Sequence, residues 1–156
     1  MSHGDGWTCY LNNAIDGGDP ASALGHMSRE LGCLVVVSTH QPRTQVGHAA
    51  TQFELIGPGG EPPLNYMRTI SAHAGDGRWQ WYESGEPRPF EDLGRYRARL
   101  VRDRFPRPLL LEYLSAMDIE PDDRDRFGQA ILIKQHVSWP RRQQTLAEAR
   151  RYWSLA

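Results

Sequence analysis

The strongest constraint on the fold is the pair Asp76-Gly77, which lies between two segments of alternating apolar and polar residues. Asp-Gly is typical of the two-residue type I′ turn, because both central residues of that turn need a positive φ. The segments 64–74 and 78–84 are therefore predicted to be the strands of an antiparallel hairpin. Counting outward from the turn fixes their register. The predicted pairs are Ala72 with Trp81, Ile70 with Glu83, and His73 with Gln80.

This register divides the side chains of the hairpin between two faces. Trp79 and Trp81 share one face with Ile70 and Ala72, since side chains alternate along a strand. We expect that face to pack against the core, because aromatic side chains bury a large apolar area. If it were exposed instead, the two tryptophans could stack on a base or a sugar. The opposite face carries Ser71, His73 and Tyr82.

The remaining segments predict helices and further strands. A helix from 19 to 32 is indicated by Asp19 as N-cap, Pro20 in the first turn and Gly32 at the end. The segment 33–40 is apolar on both faces and is expected to be a central, well-covered strand. The other predicted elements are strands at 51–56 and 129–137, a turn at 57–63, helices at 91–105 and 109–117, and a C-terminal helix from 145 to 153.

The predicted element order is α-β-β-β-β-α-α-β-α. Sequential strands joined by short turns favour an α+β fold, with an antiparallel sheet of about five strands and helices packed on one face. A chain of 156 residues has the usual size of one domain, so we expect a single domain over 1–156. Residues 1–18 are expected to be irregular. Their larger apolar side chains are expected to pack onto the domain: Trp7, Tyr10, Leu11 and Ile15.

The composition limits the class of protein. Aromatic residues make up 10% of the chain, with five tryptophans, which argues against a disordered protein. The sequence contains no apolar run of membrane-spanning length and no recognisable secretory signal. Cys9 and Cys33 are too few for a disulfide scaffold, and both are expected to be reduced and buried. These features predict a cytoplasmic protein that does not bind membranes.

The most unusual feature is a run of six arginines, accompanied by one acidic residue, Asp103, between 95 and 107. The net charge of the whole chain is −1, so this basic segment is local. On the predicted helix, three of the arginines share the outer side: Arg95, Arg99 and Arg102. A surface group of this kind is usually solvated, but arginine also binds carboxylate and phosphate in a planar fork.

Two arginines, Arg97 and Arg104, are predicted to lie within the apolar stripe of that helix. A buried charge needs a partner. One interpretation is that they snorkel to the surface or pair with internal acids such as Glu83, Glu86 or Glu91. The other is that they line a cationic pocket for a phosphate, a carboxylate or an acidic loop of a partner. The apolar stripe itself is formed by Leu93, Tyr96, Leu100 and Val101.

The histidines are the candidates for proton transfer. His40 and His48 flank the connection between two predicted strands, and His73 lies in the hairpin. A general base also needs a group that orients it, such as Glu54 or Asp76. No His-x-His, Cys-x-x-Cys or His-Glu-x-x-His string is present, so no metal site is predicted. No cofactor motif or nucleophile motif is present either, and no cofactor is predicted.

Three functions are compatible with these observations. The leading hypothesis is a non-catalytic accessory, regulatory or immunity-type module that binds another protein through its arginine-rich surface, with Trp79 and Trp81 as further binding candidates. The first alternative is a small cofactor-independent enzyme, in which Arg97 and Arg104 hold an anionic small molecule and His40, His48 or His73 moves a proton. The second is nucleic-acid binding through the segment 95–107. The neutral overall charge counts against it, and the sequence predicts no oligomeric state.

Overall fold

The protein is an α+β protein. The computed structural model describes residues 2–3, 6–10, 21–44, 47–129 and 147–148. Its strands are β1 Ser2–His3, β2 Trp7–Thr8, β3 Val35–Gln41, β4 Ala50–Glu61, β5 Tyr66–Gly75 and β6 Arg78–Gly85. Its helices are α1 Ala21–Leu31 and α2 Arg107–Ser115. Three short 3₁₀ turns occupy Arg95–Arg97, Val101–Asp103 and Arg124–Arg126.

Four strands form an antiparallel sheet in the order β3-β4-β5-β6, and β1 and β2 form a separate two-stranded ribbon. Within the described residues β3 is an edge strand, and none of its side chains is fully buried. The predicted strand is therefore present, but the expectation that it is well covered is wrong, and among the described strands it is not central. An apolar run such as Val35–Val37 also suits an edge strand whose two faces are both partly covered, and sequence alone does not separate these cases.

The predicted hairpin is confirmed residue by residue. Asp76 and Gly77 have φ of 50° and 76°, as a type I′ turn requires. The three predicted pairs are all present: Ala72 with Trp81, Ile70 with Glu83, and His73 with Gln80. A two-residue turn leaves the strands no freedom to slip, which explains why the register could be counted from the sequence.

The predicted turn at 57–63 is wrong in its placement. Strand β4 continues through this segment to Glu61, with register shifts after Leu55 and Ile56, and the turn lies at 62–65. A Cβ at Gly60 would lie 2.0 Å from the backbone oxygen of Asn65. The glycine therefore permits a close approach of two strands rather than a reversal of the chain.

The core lies between one face of the sheet and α2. Phe53, Leu55, Ile70 and Ala72 are buried on the sheet side. Helix α2, predicted at 109–117 and beginning after Pro106, contributes Leu109, Leu110, Tyr113 and Leu114. Helix α1 contacts β3 and β4. It ends as predicted at Gly32, whose φ of 63° suits a helix C-terminus.

The predicted helix at 91–105 is wrong. Two 3₁₀ turns replace it, and between them Ala98 and Leu100 are extended, with ψ of 141° and 126°. Two side chains of the segment, Tyr96 and Phe105, are buried in the core. A continuous helix would have carried Arg97 and Arg104 into the apolar stripe, and the extended residues avoid that burial of charge. Leu93 and Leu100, predicted to be in the stripe, are about half exposed.

The chain termini lie largely outside the described residues. The N-terminal segment was predicted to be irregular, with Trp7 and Tyr10 packed onto the domain. Trp7 is packed as expected, and its indole N–H donates to the carbonyl of Met117 at 2.8 Å. Tyr10 is exposed instead. Neither Cys9 nor Cys33 forms a disulfide, and Cys33 is exposed rather than buried. The predictions for Asp19, Pro20, Leu11, Ile15 and the strand 129–137 fall outside the described residues. Of the predicted C-terminal helix, 147–148 are helical and the rest is also outside.

Candidate functional site

The candidate binding surface is residues 93–104, which we call the arginine segment. Tyr96 anchors it to the sheet, since its ring lies 5.0 Å from that of Trp81 and only 6% of the residue is exposed. Phe105 anchors its C-terminal end and contacts the ring of Tyr113. The segment is therefore fixed at both ends, although it has no regular helix.

A buried ion pair supports the first anchor. Arg68 lies on the core face of β5, two residues from Ile70, and is 2% exposed. Its guanidinium donates to Glu91 from Nε at 2.9 Å and from Nη2 at 2.7 Å. It also donates to Glu83 and to the carbonyls of Ser84 and Gly85. Burial lowers the pKa of Arg68, but the bonds from these two carboxylates outweigh it and the pKa is raised overall.

The carboxylate of Glu91 joins this ion pair to the arginine segment. It accepts the hydroxyl of Tyr96 at 2.9 Å and the backbone N–H of Arg88 at 2.8 Å, and its side chain is fully buried. The hydroxyl of Tyr113 lies 2.9 Å from that of Tyr96 and accepts the N–H of Asp92. Because Tyr96 donates to Glu91, Tyr113 donates to Tyr96. Burial raises the pKa of Tyr96, and the negative charge of Glu91, whose carboxylate accepts the Tyr96 hydroxyl, raises it further, so Tyr96 stays protonated.

The predicted internal pairing of Arg97 and Arg104 with acids is not observed. Glu83 and Glu91 bind Arg68 instead. Arg97 is exposed, and Arg104 is half-buried, with its guanidinium 5.9 Å from the ring centre of Trp81. The Nε of Arg104 donates to the carbonyl of Ala98 at 2.9 Å, which stabilises the extended part of the segment.

The exposed side of the arginine segment combines positive charge with apolar area. Arg95, Arg97 and Arg99 are exposed and form no ion pair within the described residues. Arg102 forms a long surface pair with Asp103 at 3.7 Å, which contributes little. Leu93 and Leu100 are 46% and 47% exposed on the same segment. Arginine beside exposed leucine is the kind of surface that protein interfaces use.

The two tryptophans behave differently. Both lie on the predicted face, but only Trp81 packs against the core. Trp79 is 38% exposed, so the expectation that both would be core residues is wrong for Trp79. It pairs with Ala74 near the end of the hairpin, where the partner offers little side chain to cover an indole ring.

The three candidate histidines are not brought together. His40 is paired with Thr51 and lies on the core side of the sheet, with its Nδ1 3.2 Å from the hydroxyl of Thr51. His73 lies on the opposite face, with its Nδ1 3.0 Å from the hydroxyl of Ser71. His48 is exposed. The arginine segment packs on the core side, so Arg97 and His73 lie on opposite sides of the sheet.

His73 instead belongs to a depression on the face away from the core, which we call the polar groove. It is an open groove of about 370 Å³, lined by Gln52, Glu54, Thr69, Ser71, His73 and Tyr82. The sequence analysis placed Ser71, His73 and Tyr82 on this face but missed the residues from β4. The alternation of Gln52 and Glu54 with the core residues Phe53 and Leu55 is the signal that could have found them.

The environment of His40 predicts a pH effect on stability. Burial, and then the positive charge of Arg107, lower the pKa of His40 below its usual value near 6.5. The unfolded chain therefore takes up this proton at higher pH than the folded chain. The stabilising contribution is present above that usual value and is lost as the pH falls through the pKa of the folded state.

The His40→Gln variant is expected to lose this part of the pH dependence. Urea unfolding of the wild type and the variant, between about pH 7.5 and about pH 5.5, measures the difference. The free energy of unfolding of the wild type should fall more steeply on acidification than that of the variant. Equal slopes would contradict the assignment to His40.

Two other kinds of site are absent from the described residues. No group of three or more His, Cys, Asp or Glu side chains is placed to hold a metal ion in the part of the chain that the structure describes. Among those same residues, no helix is long and apolar enough to span a membrane. No protein-family model, curated protein or solved structure matches this chain.

Proposed function

We propose that this chain is a non-catalytic accessory, regulatory or immunity-type module that binds an acidic surface of another protein through the arginine segment. The observation that carries the proposal is the group Arg95, Arg97 and Arg99. These three guanidinium groups are exposed, within five residues of one another, and without an acidic partner among the described residues. A cluster of uncompensated like charges is unfavourable in the free protein and is relieved by carboxylates of a partner.

The anchoring of the segment favours binding. Tyr96 and Phe105 hold the backbone in one conformation, so little backbone entropy is lost when a partner docks. Leu93 and Leu100 add exposed apolar area next to the arginines. Arginine forms bidentate bonds to carboxylates, which makes an acidic protein loop a well-matched ligand.

The enzyme hypothesis receives less support from the geometry. Arg97 is exposed, Arg104 covers Trp81, and His73 lies across the sheet from both. An anionic substrate held by the two arginines would therefore not reach that histidine. Nucleic-acid binding remains the second alternative. It uses the same charges, so the experiment must separate it from protein binding. The proposal includes a cytoplasmic setting, which fractionation of the host cell tests.

The test is affinity capture from host lysate with the tagged protein, with and without nuclease, read by mass spectrometry. We expect one stoichiometric protein that survives nuclease and is lost when Arg95, Arg97 and Arg99 are all changed to glutamate. The matched control changes three exposed arginines elsewhere to glutamate, Arg29, Arg43 and Arg78, which alters the net charge equally. Capture that nuclease abolishes, or that both triple variants lose alike, would contradict the proposal.

A further inference from the structure

The core-side face of β6 is covered unevenly. Trp79, Trp81 and Glu83 follow one another on this face, since side chains alternate along a strand. Glu83 binds Arg68, and Trp81 packs against the core. Trp79 continues the same row toward the hairpin turn, and 38% of the residue is exposed. The row therefore ends in a tryptophan that the domain leaves partly uncovered.

The cover of Trp81 comes from the arginine segment. The ring centre of Trp81 lies 5.0 Å from that of Tyr96 and 5.9 Å from the guanidinium of Arg104. The 3₁₀ turn Val101–Asp103 contacts β5 and β6. The arginine segment thus reaches β6 at Trp81, and Trp79 lies two residues further along the strand, about 7 Å away. Trp79 and the arginine segment therefore adjoin on one side of the sheet.

Their joint surface offers two kinds of contact. Arg95, Arg97 and Arg99 are exposed and form no ion pair with another described residue. A single exposed apolar residue is common on protein surfaces and needs no function by itself. Trp79 differs because it adjoins these charges, and tryptophan and arginine are enriched among the residues that dominate binding energy at protein interfaces. The complementary surface is a large apolar side chain flanked by carboxylates.

Single-stranded nucleic acid is the other class of ligand that tryptophan and arginine bind together. The net charge of −1 gives the whole chain no general attraction to a polyanion. Leu93 and Leu100, which are 46% and 47% exposed on the arginine segment, add apolar area that a phosphate backbone does not use. Protein interfaces do bury such area in their centre. The surface therefore favours a protein over a nucleic acid.

We propose that Trp79 is the apolar anchor of the interface formed by the arginine segment, and that the partner presents a large apolar side chain flanked by carboxylates. The apolar side chain packs against the indole of Trp79, and the carboxylates bind Arg95, Arg97 and Arg99. This inference rests on the function proposed above and adds the residue that selects among acidic partners. Positive charge attracts many acidic segments, whereas burial of the indole favours those that carry an apolar side chain.

The test titrates the isotope-labelled full chain with two acidic peptides of equal charge and follows the NMR shifts. Each peptide has four glutamates on either side of a central residue, which is tryptophan in one peptide and serine in the other. Both should shift backbone amides within 93–104, and only the tryptophan peptide should also shift the indole N–H of Trp79. The tryptophan peptide should bind about five- to tenfold more tightly. A short oligothymidine strand, the third probe, should bind more weakly than the tryptophan peptide.

Two variants of β6 assign the preference to one side chain. Trp79→Thr removes the indole and should give the two peptides equal affinity, while the shifts within 93–104 persist. Tyr82→Thr is the matched control, because it removes a ring that is 53% exposed on the opposite face of the same strand. It should leave the preference for the tryptophan peptide unchanged. Threonine suits a strand, and the indole shift of the wild type is a readout that needs no variant.

Three results would overturn the inference: equal affinity of the two peptides for the wild type, an unmoved Trp79 indole, or a preference retained in Trp79→Thr. If the amides of 93–104 still shift in those cases, the function proposed for the arginine segment stands without Trp79. If neither peptide shifts those amides, the proposed function and this inference both fail. Binding of oligothymidine that is tighter than that of either peptide, with the Trp79 indole shifted, would assign the surface to nucleic acid instead.

Discussion

Replacing Glu91 with alanine is expected to lower the free energy of unfolding by about 3–5 kcal/mol. The substitution leaves the guanidinium of Arg68 almost fully buried, with only the partly exposed Glu83 and two carbonyls as partners. It also removes the acceptor of the Tyr96 hydroxyl. Loss of one member of a buried pair is unfavourable mainly because the other charge stays buried without its main partner.

Chemical denaturation of the wild type and the variant measures this effect. The control is Arg107→Ala, which removes the ion pair with Asp122 that is exposed on both sides and should change stability by less than about 1 kcal/mol. The double variant Arg68→Met/Glu91→Met should recover much of the loss, since neither charge then remains buried. A loss of less than about 1 kcal/mol in the Glu91→Ala variant would show that the pair is not the support of this region.

Changing Arg95, Arg97 and Arg99 together to glutamate is expected to weaken binding to the captured partner by on the order of 100-fold or more. Each substitution removes an attraction to an acidic surface and introduces a repulsion. Because all three side chains are exposed and unpaired within the described part of the chain, the change should leave the free energy of unfolding within about 0.5 kcal/mol per site.

Titration calorimetry, or a binding assay with the partner immobilised on a surface, measures this change in affinity at two salt concentrations. Affinity of the wild type should fall as salt rises, and the triple variant should lose that dependence. The matched variant with glutamate at Arg29, Arg43 and Arg78 should bind nearly as well as the wild type. A similar loss in both variants would show that net charge, rather than the arginine segment, determines affinity.

The hairpin could be predicted from the sequence because the residues of the turn itself determine which residues of the two strands pair. The Asp76-Gly77 turn imposes the φ values and the strands follow it, so every pair up to Ile70 and Glu83 could be counted. The α+β class and helix α2 also followed from nearby turn and cap residues. The extension of β4 through Gly60 could not be predicted, because that glycine lies against Asn65, the last residue of the turn that follows β4.

The arginine segment could not be predicted because tertiary contacts determine its conformation. Its periodicity favours a helix, but Tyr96 packs on Trp81 of β6 and Phe105 packs on Tyr113 of α2, and both are buried in the core. The buried arginine was expected at Arg97 or Arg104 and is Arg68 instead. Alternation along the predicted strand 64–74 places Arg68 on the same face as Ile70, so the sequence contained the signal for a buried arginine at this position.

Only some of the residues that line the polar groove could be predicted from the sequence. Ser71, His73 and Tyr82 were placed together from the hairpin alone. Glu54 and Gln52 join them because β4 pairs with β5, with Gln52 opposite Ser71 and Glu54 opposite Thr69. That pairing runs across the turn at 62–65, and the sequence does not fix its register.

The most direct test of the central claim is hydrogen exchange of the backbone amides in the complex with the captured protein. Peptides that cover the arginine segment, 93–104, should exchange more slowly in the complex than in the free chain. Peptides from β4 and β5 that line the polar groove should be unchanged. Protection confined to those strands, with 93–104 exchanging as in the free protein, would contradict the assignment of the arginine segment as the binding surface.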